Sequence, residues 1–284
     1  MIEPDDRQDR RNLAETLRDL RKAAGLSGER LAARVAMSQS KISRIESGRV
    51  LPSVADVERM LRGLESVSSD VAERVLSLAR VANVEHASWR SVARSGMWRK
   101  QVEIKALTES SAEVRHFLPI VPSGLLQTPE YARYALTPVI EGNPARDVDR
   151  AVRARLDSQD ALNDTSRRFH FLLTEQAVRL KRAPSPVMAG QLRHMVEVAE
   201  RSNVEFAVLP GSVQVGASPL NVFVAYDDRL VIVELFSGEV ALRDYRDVSY
   251  HLRVFEYFRR RAVIGEDARG ILESVADDFM RVRD

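Results

Sequence analysis

The spacing of hydrophobic residues over the first 82 positions predicts a series of short helices. Apolar residues recur every three or four positions, which places them on one face of a helix. Gly25 ends the first segment, and Ser27 and Ser38 stand where they can cap the starts of the second and third. Gly48 ends the third segment, and two further amphipathic segments follow. The pattern therefore predicts an all-α domain of five helices over residues 8–82.

From residue 104 the pattern changes to short β-rich runs separated by helical stretches. Runs such as RFHFLLTE and LVIVELF combine β-branched and aromatic residues. The stretch AYDDRLVIVELF has the form of two strands joined by a hairpin turn at residues 227–229. Two more helices, at about 247–262 and 266–282, close the chain. We therefore expect an α+β domain with a mixed sheet over residues 104–284, preceded by a connector at 83–103.

Composition places the chain among ordinary globular proteins, with 44% hydrophobic and 30% charged residues. No apolar run approaches the ~20 residues that cross a bilayer, and the charged N-terminal segment lacks the apolar core of a secretion signal. The absence of cysteine excludes disulfides and thiolate metal sites. We expect a cytoplasmic protein with no membrane partner. Arginine far outnumbers lysine, which indicates a GC-rich genome such as that of an actinobacterium.

The second and third segments together have the features of a helix-turn-helix. Leu31, Val35, Ile42 and Ile45 supply apolar side chains where two helices touch, and Ala32 is small enough for their closest approach. The third segment begins with polar residues. A recognition helix needs polar side chains at its start, because they face base edges in the major groove. Positive charge is concentrated in the same region, since residues 30–49 contain five basic side chains and one acid.

Residues 13–64 resemble the lambda-repressor and Cro type of helix-turn-helix, the XRE family, on the stretches LRDLRKAAGLS, ERLAARVAMSQSKISRIESGR and LPS. The resemblance implies that the third helix, 38–47, lies in the major groove of double-stranded DNA. The residues that it implies for DNA contact are Gln39, Ser40 and Arg44 toward bases, Lys41 and Ser43 at the groove edge, and Arg49 and the amide of Gly28 near phosphates. Arg44 is the expected direct reader, because a guanidinium bonds a guanine edge in bidentate fashion. Lys41→Ala should weaken binding to all DNA evenly.

The resemblance also implies an ion pair between Arg21 and Glu46; the alternative is a solvated Glu46 worth ~0–1 kcal/mol. Two positions depart from the family pattern. Ala36 stands where glycine is usual, and a left-handed backbone there costs ~1 kcal/mol. Gly28 stands where glutamine is frequent, so one contact to the DNA backbone is missing. A second interpretation of residues 8–82 is a small helical bundle without DNA contact.

The stretch VPSGLLQTPEYARYAL at 121–136 resembles the Pro-Gly-Leu-Leu-Gln-Thr-Pro-Glu-Tyr-Ala signature of an antitoxin-like domain found behind XRE heads in actinobacterial regulators. Thr128 can cap a helix whose first residue is Pro129. The sequence departs from the signature by the extra Ser123. The resemblance covers about residues 104–284 and implies a regulator, without naming a ligand.

The second domain shows no catalytic motif. Its histidines are scattered without metal-ligand spacing, and neither a nucleophile elbow nor a phosphate loop occurs. Glu175 and Glu234 each follow an apolar strand, and they could meet near a ligand pocket if those strands are neighbours. Otherwise each acid pairs with a basic group or faces solvent. We expect a protein that is not an enzyme and that needs no cofactor and no metal.

These observations favour a sequence-specific DNA-binding transcriptional regulator. Its second domain would sense a small-molecule ligand or a small protein partner, form a homodimer, or both, because paired heads gain specificity on two half-sites. Candidates for the dimer interface are Trp89, Trp98 and the last helices. The alternative is that these residues pack in the core of a single chain. One rival hypothesis is an antitoxin-like protein with autoregulatory DNA binding. Another is a DNA-tethered hydrolase or transferase.

Overall fold

The computed structural model describes residues 6–65, 67–89, 96–137 and 147–281. The chain divides into two compact units. The first comprises Met1–Glu85 together with Ala241–Asp247, and the second comprises His86–Val240 together with Val248–Asp284. The connector predicted at 83–103 contains a strand and the start of a helix, and its residues 90–95 lie outside the described residues.

Five helices make up the described part of the first unit before residue 83. They are α1 (Asp6–Ala23), α2 (Gly28–Arg34), α3 (Gln39–Glu46), α4 (Val54–Leu64) and α5 (Ser69–Ala82). The side chains of Ser27, Ser38 and Ser53 accept hydrogen bonds from the third amide of α2, α3 and α4, which fixes where those helices begin. Gly25 and Gly48 have φ of 67° and 71°, a conformation that glycine adopts without strain and that ends α1 and α3.

The apolar faces of these helices enclose one core. It contains the residues that define the helix-turn-helix pattern, and its members include Leu13, Leu17, Leu31, Ala32, Val35, Ile42, Ile45, Val57, Met60 and Leu64. Leu31 and Ile45 are fully buried, as the spacing predicts. The predicted all-α five-helix domain is confirmed.

The second domain alternates strands and helices. The strands are β1 (Val84–Ser88), β2 (Glu113–Leu118), β3 (Arg168–Thr174), β4 (Val204–Leu209), β5 (Phe223–Tyr226), β6 (Leu230–Leu235), β7 (Gly238–Leu242) and β8 (Val263–Ile264). The α-helices are α6 (Met97–Glu109), α7 (Pro129–Leu136), α8 (Val148–Ser158), α9 (Glu175–Arg179), α10 (Ser185–Ala199), α11 (Tyr245–Arg259) and α12 (Gly265–Arg281). Two short 3-10 segments lie at Gly124–Leu126 and Gln159–Asn163.

The strands of the described residues form one mixed sheet in the order β1-β7-β6-β5-β2-β3-β4-β8. β2 runs parallel to β3 and β3 to β4, whereas β2 pairs antiparallel with β5. β5 and β6 form the predicted hairpin, in which Asp227 has φ of 51°. The Asp227 carboxylate accepts hydrogen bonds from the amides of Ala112 and Glu113, each at 2.9 Å, and so holds the turn beside β2. The predicted α+β domain with a mixed sheet is confirmed.

The two faces of the central strands carry different side chains. On one face Phe117 packs against Phe223 and against Phe258 of α11, with ring centroids 5.1 and 5.0 Å apart. Side chains alternate between faces along a strand, so His116 and Val224, which are paired across β2 and β5, lie on the other face. That second face forms the floor of an internal cavity.

Candidate nucleic-acid interface and internal cavity

The turn that joins α2 to α3 is closed by backbone hydrogen bonds. α2 ends at Arg34, and the amide of Met37 donates to the carbonyl oxygen of Ala32 at 3.0 Å. Ala36 lies in this turn with φ of 51°, the left-handed conformation that the sequence predicts. A tight turn of this kind sets the direction in which α3 leaves α2.

α3 has one buried face and one exposed face. Ile42 and Ile45 are 1% and 0% exposed and belong to the core. Four of the predicted DNA-contacting residues are exposed on the opposite side: Gln39, Ser40, Ser43 and Arg44. Spacings of one, three and four residues place them on a single face of the helix. That face presents amide, hydroxyl and guanidinium groups, which bond base edges in a major groove.

Arg44 is held along the surface of α3. Its Nε donates to the carbonyl oxygen of Ser40 at 3.3 Å, and its two terminal nitrogens have no partner among the described residues. Those two N–H groups are the fork that bonds O6 and N7 of a guanine. The geometry of Arg44 therefore suits direct base reading.

Lys41 lies at the edge of the exposed face and is already paired. Its ammonium contacts a carboxylate oxygen of Asp56 at 2.9 Å, and the Asp56 side chain is 8% exposed. The same carboxylate accepts a hydrogen bond from Arg59 at 2.5 Å and completes a capping box with Ser53 at the start of α4. Burial raises the pKa of Asp56, but the bonds and charges of Lys41 and Arg59 outweigh it, and the net pKa is lowered. A phosphate contact from Lys41 thus competes with Asp56.

Arg21 and Glu46 lie in direct contact. Nε and Nη2 of Arg21 bond the two carboxylate oxygens of Glu46 at 2.7 and 2.8 Å, and Nη1 donates to the carbonyl oxygen of Leu26 at 2.6 Å. The two side chains are 14% and 8% exposed. The hydrogen bond that Arg21 donates to Glu46 raises the pKa of Arg21. This bidentate pair joins the end of α3 to α1 and keeps the Glu46 charge away from the exposed face.

Gly28 and Arg49 lie at the two ends of the helix pair. Gly28 is the first residue of α2, and an added β-carbon there would meet nothing within 4 Å. Arg49 is exposed just after α3, and its amide donates to the carbonyl oxygen of Arg44 at 2.9 Å. Both positions are open to a partner, and their proposed phosphate contacts stay predictions.

The expectation that Glu175 and Glu234 meet in one pocket is wrong. Their strands, β3 and β6, are separated in the sheet by β2 and β5, which at ~4.8 Å per strand puts the strands about 14 Å apart. Glu175 accepts hydrogen bonds from the amide of Gly211 at 2.8 Å and from Arg179 at 2.6 Å. The Gly211 amide and then Arg179 lower the pKa of Glu175. Glu175 is therefore paired with a basic group, which was the alternative to a place in a ligand pocket.

Glu234 lines a cavity of about 210 Å³ in the second unit. The cavity wall also contains Glu239, Arg155, His116 and residues of the loop at 121–125. This loop belongs to the stretch that resembles the antitoxin-like signature, and in the structure it forms part of the cavity wall.

Two buried residues near these sites, Asp56 and His116, were not predicted from the sequence. Asp56 follows Ser53 by three residues, a spacing typical of a capping box that would have marked it as a buried acid. His116 lies in a β-rich run with nothing nearby in the sequence to indicate a cavity. Among the described residues no group of three or more His, Asp or Glu side chains could hold a metal ion.

Comparisons with known proteins agree with this architecture. Residues 12–75 match the model of a family described as a helix-turn-helix domain, and residues 101–274, more than half of the chain, match the model of a domain of unknown function (DUF5753). The first match confirms the predicted helix-turn-helix. No curated protein matches the chain.

The structure of TrmBL2, an archaeal chromatin protein, which shows a novel mode of DNA binding, aligns with a TM-score of 0.34 and 14% identity over 80% of this chain and 67% of that chain. At this TM-score the likeness carries no conclusion about fold or function. Within the described residues, no helix has both the length and the apolar character to cross a membrane.

Proposed function

The chain belongs to the DUF5753 family and carries a helix-turn-helix domain ahead of that domain, and we propose that it is a sequence-specific transcriptional regulator. In this proposal α3 lies in the major groove of a double-stranded operator. The DUF5753 domain then has a regulatory rather than a catalytic role, sensing a small molecule or a partner. A regulator of chromosomal DNA acts in the cytoplasm, so the proposal includes that location.

The exposed polar face of α3 is the single observation that carries the proposal. Gln39, Ser40, Ser43 and Arg44 lie on the side opposite the buried Ile42 and Ile45. A helix in a simple bundle needs only solvation on its outer face, which any charged residue supplies. Here the outer face combines small hydroxyls and an amide with one open guanidinium, a set that fits base edges.

A homodimer is part of the proposal. A single short recognition helix reads only a few base pairs, and two heads on half-sites about one helical turn apart multiply that specificity. The prediction for DNA is therefore a repeated half-site. Co-purification of a small protein with the chain would instead favour the antitoxin-like alternative.

Selection of bound fragments from random DNA tests the proposal. Purified full-length protein is incubated at near-physiological salt, because non-specific binding falls steeply with salt. We expect enrichment of one half-site sequence, present twice at a fixed spacing. Recovery of DNA without any shared sequence would contradict sequence-specific regulation, and a lone half-site would contradict the dimer.

Arg44→Ala tests the recognition helix itself. Loss of a bidentate base contact should cost about 1–3 kcal/mol of discrimination, or roughly 5- to 150-fold in operator affinity relative to random DNA. Arg74→Ala is the matched control, because Arg74 is an exposed arginine on α5, outside the helix pair. Fluorescence polarisation with operator and scrambled duplexes measures both. Equal discrimination by the two variants would show that α3 is not the reader.

A further inference from the structure

The cavity of the second unit has a floor formed by one face of the sheet and a roof formed by a loop and two helices. Its floor is the sheet face that carries Leu118, Val224 and Ile232, opposite the aromatic face packed by α11. The loop at 121–125 and side chains from α6 and α8 close it from above. At about 210 Å³ the cavity is smaller than the ~300–1,000 Å³ of drug-sized sites. It therefore fits a compact ligand.

The two carboxylates of the cavity differ in their partners. Glu239 contacts the ammonium of Lys100, and both side chains are less than a tenth exposed. Glu234 has no hydrogen bond or ion pair from its carboxylate among the described residues. Glu234 is exposed to solvent, yet enough protein lies around its carboxyl group that burial raises its pKa, while the charge of Arg155 lowers it. Glu234 is thus an acceptor open to a cationic partner.

His116 supplies a second unsatisfied group in the same wall. It is 3% exposed, and neither ring nitrogen has a hydrogen-bond partner among the described residues. Its ring stacks on Phe171 with centroids 4.8 Å apart. Burial lowers the pKa of His116 to about 3, so the imidazole is neutral and adds no positive charge opposite Glu234. An unpaired buried polar group costs free energy that a bound ligand can recover.

Two cationic side chains, Arg155 and Arg182, also line the cavity. Nη1 and Nε of Arg155 donate to the amide oxygens of Gln127 at 2.7 Å and Gln101 at 3.4 Å. Arg182 is exposed. Gly124 lets Arg155 lie against the loop, since an added β-carbon would stand 3.1 Å from its Nε. The two glutamines therefore orient Arg155 in the roof, and Glu234 is the carboxylate of the wall that has no directly bonded cation among the described residues.

We propose that this cavity binds a small organic cation, a primary ammonium group on a compact apolar body, with the ammonium paired to Glu234 and the body against Val224 and Ile232. The inference names the ligand class for the sensing role in the proposed function and rests on that function for its biological meaning. The binding itself is independent of DNA.

Isothermal titration calorimetry with three matched probes tests the inference. Isoamylamine, isoamyl alcohol and isovalerate share one branched five-carbon skeleton and differ in the charge of the terminal group. We expect the amine to bind the full-length protein at least 10-fold more tightly than the alcohol, and the carboxylate not to bind. Equal binding of amine and alcohol, tighter binding of isovalerate, or no binding of any probe would each overturn the proposal.

Variants locate the binding to this cavity. Glu234→Gln removes the charge and should weaken the amine at least 10-fold, whereas Glu175→Gln, an acid outside the cavity, should leave its affinity within 2-fold. Ile232→Phe fills the floor and should weaken amine and alcohol alike, which covers the case in which Glu234→Gln fails to fold. Unchanged amine affinity in both Glu234→Gln and Ile232→Phe would show that the amine does not bind in this cavity. Operator binding is measured on the same samples, so loss of DNA recognition alone counts against the proposed function and not against the ligand site.

Discussion

Ala36 holds a left-handed backbone conformation in the turn between α2 and α3, with φ of 51°. An L-residue with a β-carbon pays about 1–2 kcal/mol there, and glycine does not. Ala36 is exposed, so loss of its methyl group removes little packing. Ala36→Gly should therefore raise the free energy of unfolding by about 1 kcal/mol, which urea denaturation followed by circular dichroism measures.

Ala33→Gly provides the opposite control for that substitution. Ala33 is exposed inside α2, where glycine costs about 1 kcal/mol relative to alanine. The two variants make the same chemical change three residues apart, and we expect shifts of opposite sign. Destabilisation by both would mean that position 36 is not left-handed in solution.

Single residues also show where sequence reasoning stops. Ala36 was predictable, because the turn pattern of a helix pair fixes the backbone of each position. Glu175 and Glu234 looked equivalent, since each follows an apolar strand. Their environments differ because strand neighbours are decided by the whole sheet, and a local pattern carries no information about which strands adjoin.

Among the elements, α2 has an open position for a new contact. Gly28 is its first residue, with nothing within 4 Å of an added β-carbon. The substitution Gly28→Gln would restore the side chain that is common in the resembling family. One added hydrogen bond of about 0.5–1.5 kcal/mol should tighten operator binding roughly 2- to 10-fold. Fluorescence polarisation of this variant against the unmodified protein tests the prediction.

Gly270→Gln controls for a general effect of added glutamine. Gly270 is exposed in α12, and an added β-carbon there also meets nothing within 4 Å. We expect its operator affinity to be unchanged. Unchanged affinity of Gly28→Gln would show that the start of α2 lies away from the DNA backbone.

The loop after β2 shows why the antitoxin-like sequence signature does not by itself indicate which residues hold the loop in place. Gln127 donates to the carbonyl oxygen of Pro122 at 2.9 Å, and Gln159 donates to the carbonyl oxygens of Gly124 and Gln127 at 2.9 and 2.7 Å. Gln191 donates to the carbonyl oxygen of Leu126 at 2.6 Å. The signature predicts a turn and a helix start, both of which form. Two of the glutamines that satisfy the loop come from later elements, which the spacing within the loop could not indicate.

At the scale of the whole molecule, the sequence predicts the kinds of element better than their arrangement. Helical periodicity identified the five N-terminal helices because each buries one face in a local core. The β-rich runs predicted strands and one hairpin, since a hairpin is closed by adjacent residues. The order of the mixed sheet depends on pairings between distant segments, such as β2 with β3 and β5, and no local rule selects them.

The position of β2 in the sheet has a consequence for the time course of folding. β2 receives its partners from residues 168–173 on one side and 223–226 on the other, so it can be completed only after long loops have closed, and non-local pairing is slow. Among the described residues, the core of the helical domain is built from side chains between Leu13 and Ala82. In refolding followed by pulsed hydrogen exchange, amides of α2 and α3 should become protected before those of β2. The reverse order would show that β2 is protected before its sequence-distant partners β3 and β5 have paired with it.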